Sequence, residues 1–236
     1  MDKKKRFTKV ELGLGILALL LLTAIAYKVF ESLNERNNLA KATLNCRQII
    51  TAMRIYSSDC SGTYPDARGT VSKTANHAFR KLFEEQILDN EMIFGCPLSP
   101  FAPDGVIADS HIEPNSSKFY KAVQAGENHW AMTAELEDSS SGSFPLLYEN
   151  PVSATWPPKW NADMSENPVR GRAWKSGIIV GLNDSSVSLE PLASAHGAAV
   201  GLRPDPETGK ALFEAAFDEA EAASDDPFKV EVLGVE

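Results

Sequence analysis

The sequence is short of the residues from which many sites are built. Its 236 residues include 3 cysteines, 4 histidines and only 8% aromatic residues. Three cysteines allow at most one bridge, which excludes a disulfide scaffold. The histidines, His77, His111, His129 and His196, are scattered, and no His-Glu-x-x-His or Cys-x-x-Cys spacing occurs. No Gly-x-Ser-x-Gly nucleophile elbow is present. Gly209-Lys210 lacks the upstream glycine of a phosphate loop, and Ala211 stands where the hydroxyl is needed. Carboxylates are plentiful, but none stands out as a pair. The expectation is a protein that is not an enzyme, with no small-molecule substrate identified.

Positive charge is also in deficit. The chain has 23 Lys+Arg against 32 Asp+Glu, for a net charge of -9. Residues 1–60 are the exception, with 10 basic against 5 acidic residues. The rest is acidic enough to repel phosphate backbones, so no nucleic-acid partner is expected. Hydrophobic residues at 43% and charged residues at 23% are ordinary for a globular chain and exclude wholesale disorder or collagen. The length allows one large domain or two small ones.

Two local absences shape the N-terminus. No charged residue occurs over the 16 positions from Leu12 to Tyr27, and no proline occurs before Pro65. A spanning helix needs about 20 apolar residues. The run reaches that length from about 10 to 29 if Lys28 snorkels to the interface. The basic cluster Lys3-Lys4-Lys5-Arg6 is expected to stay cytoplasmic, with the remainder across the inner membrane. Beyond the apolar run, Ala42, Cys46, Ile49, Ile50, Met53 and Tyr56 recur at spacings of three and four, forming one apolar helix face. The pattern predicts one helix over 7–58, on the order of 75 Å long at 1.5 Å per residue. Asp59-Cys60-Ser61-Gly62 supplies its stop. Three readings of the start compete: a signal anchor, a cleaved secretory signal ending near Ala24-Ile25-Ala26, and a prepilin-like leader.

Glu11 lies at the edge of the apolar run, where a carboxylate is costly unless paired. Phe7-Thr8-x-x-Glu11 followed by the apolar run resembles the start of mature type IV pilins and type II secretion pseudopilins. The passage from Asn45 to Tyr56, followed by Gly62-Thr63-Tyr64-Pro65, is similar to the end of the long helix in that family. The resemblance implies cleavage by a prepilin peptidase between Arg6 and Phe7 and methylation of the new Phe7 amine. It also implies a charge contact between Glu11 and the amine of a neighbouring subunit. Arg6 stands where the family has Gly, and Lys9 where it has an apolar residue. The implied partners are membrane lipid and other pilin or pseudopilin subunits. The alternative is a membrane-tethered extracytoplasmic binding protein that never polymerises.

The expected fold class is α+β: a long N-terminal helix, transmembrane in its first half and amphipathic in its second, on a small antiparallel-sheet head. Residues 1–6 are the leader, 7–58 the helix, 59–190 the head and 191–236 an acidic C-terminal extension. Within the head, His77–Leu88 predicts a helix and Met92–Pro97 a short buried run. Phe144–Glu149 predicts a strand, and the apolar runs flanking Asn183–Ser186 a hairpin. Trp156, Trp160 and Trp174 are expected to hold the Pro-rich 150–172 stretch on the head. Phe213 and Phe217 lie at helical spacing in the tail, and residues 228–232 alternate like an edge strand. Cys46 reads as a buried thiol, and Cys60 and Cys96 as a pair able to bridge outside the cytoplasm. Acidic clusters offer oxygen ligands of the kind Ca²⁺ takes, but no EF-hand spacing exists and no ligand residues are assigned.

Overall fold

The computed structural model describes residues 9–66, 74–108, 119–163, 168–223 and 230–236, with Lys9, Glu11 and Ala223 described by their backbone only. Arg6, Phe7 and His111 lie outside the described residues, as does the 228–229 part of the expected edge strand. The chain divides into two compact units, one ending at Ala40 and the other running Lys41–Glu236.

Helix α1 spans Lys9–Asp59 without interruption. No described residue up to Ala40 is buried, and Val10 through Leu33 present large apolar side chains outward. From Ala42 the face changes: Ala42, Cys46, Ile49, Ile50 and Met53 are all buried within the second unit, on the stripe the spacing predicts. The helix ends on a left-handed turn at Ser61 and Gly62, with φ of 57° and 85°. There the Gly62 N–H closes onto Ser57 O at 2.8 Å. Glycine is required here twice over, because a Cβ at Gly62 would also lie 2.9 Å from Asp138 Oδ1.

The head carries a five-stranded, wholly antiparallel sheet in the order β4-β3-β2-β1-β5. The strands are β1 (Trp130–Thr133), β2 (Pro145–Glu149), β3 (Ile178–Leu182), β4 (Val187–Glu190) and β5 (Val232–Leu233). The β3–β4 hairpin turns through Asn183–Ser186 as expected, with Ser185 at φ 72°. Strand β1 was not anticipated from the sequence, because Trp130–Thr133 is only four residues long and has no apolar–polar alternation.

Alternation sorts the strand residues between two faces. Gly181 of β3 abuts α1, since a Cβ there would lie 2.2 Å from Ile50 Cδ1 and 3.0 Å from Cys46 Sγ. The neighbouring Val180 and Tyr148 belong instead to a cluster with Trp160, Ile178 and Phe213. The sheet is thus covered by the end of α1 on one face and by aromatic residues of later segments on the other.

Helix α2 (Ala75–Glu84) buries Ala78, Phe79, Leu82 and Phe83 and is capped by Thr74, which accepts the His77 N–H. It stops short of the expected Leu88 because Gln86 takes φ 57°, and the Ile87 N–H returns to Leu82 O at 2.8 Å. The expected 92–97 run is a 3-10 turn over Glu91–Phe94.

The tail is not an addition to the head. Helix α3 (Leu212–Ala223) delivers Phe213 into the core, with ring centroids 5.0 Å from Tyr148 and 5.1 Å from Trp156. Strand β5 then pairs with β1. The acidic residues that suggest a solvated appendage occupy only one side of α3, while Phe213 and Ala216 fill the other.

Candidate functional site

The sites expected at the N-terminus fall at the limit of the description. Glu11 lies in the first turns of α1, and only its backbone is described; Arg6 and Phe7 lie outside the described residues. What α1 does contain is one stretch long and apolar enough to cross a membrane.

Cys46 is the buried thiol expected, but the other two cysteines differ from expectation. All three are free thiols, so the expected Cys60–Cys96 bridge does not form in this structure. Cys60 follows the last turn of α1. Cys96 follows the 3-10 turn and is buried beside two residues that no motif joins to it, His129 and Glu149.

Glu149 closes β2, and its side chain is 0% exposed. A buried carboxylate must be matched by donors. Oε2 accepts the Ile179 N–H at 2.8 Å, and Oε1 accepts Trp174 Nε1–H at 2.7 Å. His129 Nε2 lies 3.3 Å from the same Oε1, and Cys96 Sγ 3.9 Å from it. His129 is held in turn by its backbone, whose N–H bonds Phe94 O and whose carbonyl accepts the Asn150 N–H, both at 2.9 Å. Burial alone would depress the basicity of the His129 ring. The interactions of the ring with Cys96 and Glu149 outweigh burial and raise it. Burial pushes the nearby Cys46 thiol well up, marking it as an inert core sulfur.

The arrangement converges rather than relays. In a nucleophile–base–orienter chain, the two imidazole nitrogens face different partners. Here Nε2 and the Cys96 sulfur both face one oxygen, and Nδ1 has no hydrogen-bond partner among the described residues. Cys96 also lines a cavity of about 320 Å³ with Lys41, Asn45, Met92, Phe101 and Pro103, so the cluster has one wall near solvent.

Two other polar sites organise loops. Glu91, fully buried, accepts the Gly105 N–H at 2.6 Å and the Val123 N–H at 3.0 Å, near Asp104 and Glu127. Asn183 joins three segments: its side chain accepts from Tyr64 Oη at 2.8 Å and donates to Glu137 O and Ser140 O, and its carbonyl accepts from Arg54 of α1. The hairpin turn legible in the sequence is therefore also a bolt onto the helix.

Asp66 supplies a pH dependence. It is 7% exposed. Burial raises its carboxyl from 3.8 to about 6, against the pull of the Glu135 N–H at 2.5 Å. The folded state thus binds this proton more tightly than the unfolded state does. Its stabilising contribution is complete below pH 3.8 and is lost as pH rises through about 6, a swing on the order of 2–3 kcal/mol. Asp66→Asn keeps an acceptor for the Glu135 N–H but cannot ionise. Urea midpoints of the two proteins are expected to diverge in the variant's favour between pH 4 and 7; a difference independent of pH would remove the assignment.

Neither Cys96, His129 nor Glu149 carries a sequence signal for the cluster. His129 lies 20 residues from Glu149, and Cys96 lies 53 residues from it. The one available hint was a carboxylate ending the otherwise apolar strand Pro145–Glu149. Compared with models of known protein families, with curated proteins and with solved structures, the chain finds no match.

Proposed function

We propose that the chain is a pseudopilin-like structural subunit of a type II secretion or type IV pilus-like assembly. In this reading the apolar part of α1 anchors it in the inner membrane, with the N-terminus cytoplasmic and the head periplasmic. The observation that carries the reading is α1 itself. It is one 51-residue helix whose described side chains are unburied up to Ala40 and whose continuation from Ala42 is built into a sheet-containing head. An anchor alone needs no such continuity, because a flexible linker would serve. A subunit that packs helix against helix and carries its head in fixed order does need it. The leader-like box at Phe7 and Glu11 supports the same reading by resemblance.

The charge contact follows from the cost of an unpaired carboxylate in a low-dielectric bundle. Glu11→Ala is expected to leave membrane insertion intact and to abolish crosslinking into the assembly. Crosslinking equal to wild type would end the charge role. N-terminal mass spectrometry of the native protein is expected to find a chain beginning at methylated Phe7. A chain beginning at Met1 would instead favour the tethered, non-polymerising binding protein, a reading that Arg6 in place of the family's Gly supports.

A further inference from the structure

We propose that Cys96, His129 and Glu149 form a binding site for a single zinc-class divalent cation that clamps the core of the head. The proposal is independent of the filament reading.

The first argument is the donor set. Three different ligand types, a thiol sulfur, an imidazole nitrogen and a carboxylate oxygen, come from the segment after the 3-10 turn, the residue just before β1 and the end of β2. Sulfur with nitrogen selects a borderline cation such as Zn²⁺ and disfavours Ca²⁺ or Mg²⁺, which take oxygen ligands.

Distance is the second. With Zn–S about 2.3 Å, Zn–N about 2.05 Å and Zn–O about 2.1 Å, tetrahedral angles place nitrogen about 3.4 Å and sulfur about 3.6 Å from the oxygen. Here Nε2 lies 3.3 Å and Sγ 3.9 Å from Oε1. For these two pairs ligation asks for shifts of only a few tenths of an ångström, and all three ligand atoms lie within 4.8 Å of one another.

Acceptor capacity is the third. One lone pair of Oε1 is taken by Trp174 Nε1–H, and Oε2 accepts the Ile179 N–H. The remaining Oε1 lone pair faces both His129 Nε2 and Cys96 Sγ, which cannot both be well satisfied by it. A cation at that point accepts a lone pair from all three. The Trp174 and Ile179 bonds then serve as the outer shell that orients the carboxylate. Binding displaces two protons to solvent, the thiol proton of Cys96 and the His129 Nε2 proton that faces Glu149, and leaves the ring protonated at Nδ1, with Nε2 as the ligand. The cavity against Cys96 is the path of entry.

The test uses the full-length chain in detergent micelles, stripped with chelator and titrated with Co²⁺ and then Zn²⁺. One Co²⁺ per chain is expected, with a thiolate-to-cobalt charge-transfer band and the intense visible bands of a four-coordinate ion, both bleached by Zn²⁺. Cys96→Ser should lose the charge-transfer band, while Cys46→Ser and Cys60→Ser keep it. No band from folded wild-type protein, or a band that survives Cys96→Ser, would overturn the proposal. A second measurement needs no variant: alkylation of Cys96 in the wild type, mapped by mass spectrometry. Free Zn²⁺ at about ten times its Kd should slow it about tenfold by mass action and leave Cys60 unaffected. Equal Cys96 rates with and without Zn²⁺ would also overturn it.

Discussion

Glu149→Leu is expected to cost the head about 3–5 kcal/mol, the range for removing one member of a buried charged pair. The leucine fits the volume but accepts no hydrogen bond. It strands the Ile179 N–H inside the sheet, the indole N–H of Trp174 and the ring N–H of His129, all of which now point at the carboxylate. At a typical total of 5–15 kcal/mol, such a loss brings the head close to unfolding. Glu149→Gln keeps one acceptor oxygen and should lose only part of this. The measurement is urea unfolding of the detergent-solubilised chain, followed by tryptophan fluorescence in chelator, so that no bound cation contributes. A leucine variant within about 1 kcal/mol of wild type would mean that these donors find water or another partner, and that the carboxylate does not organise the core.

The second large effect is expected at Gly181, where helix and sheet meet. A Cβ on this residue would stand 2.2 Å from Ile50 Cδ1, and Ile50 is 0% exposed, with little room to turn away. Gly181→Ala is therefore expected to destabilise by about 1–3 kcal/mol despite the better strand propensity of alanine, and Gly181→Val by more. The cause is steric, so it should be reversible. Ile50→Ala alone leaves a cavity and costs about 2–5 kcal/mol. Combined with Gly181→Ala, it should cost less than the two losses added, with a coupling of about 1–2 kcal/mol. Additive losses would show that the helix does not rest on the sheet at this point. In the pseudopilin-like reading, the same substitution frees the head from its spine. It should weaken assembly even where the membrane anchor is untouched.

Helix α1, its stop at Gly62, the apolar stripe from Ala42 to Met53, strand β2 and the β3–β4 hairpin are all legible in the residue order. Each follows from a repeat of two or 3.6 residues, or from turn chemistry spanning a few positions, and local geometry decides such patterns. The membrane-length apolar run was legible for the same reason. The remaining features depend on contacts between distant segments. Strand β1 is too short to show a period, and Gln86 ended α2 through a backbone conformation that composition does not encode. The tail entered the core because Phe213 met Tyr148 and Trp156, partners far away in the chain. The buried cluster is the extreme case. Cys96, His129 and Glu149 have no characteristic spacing, because a sheet brings together residues whose separation in sequence is set by loop length and not by chemistry.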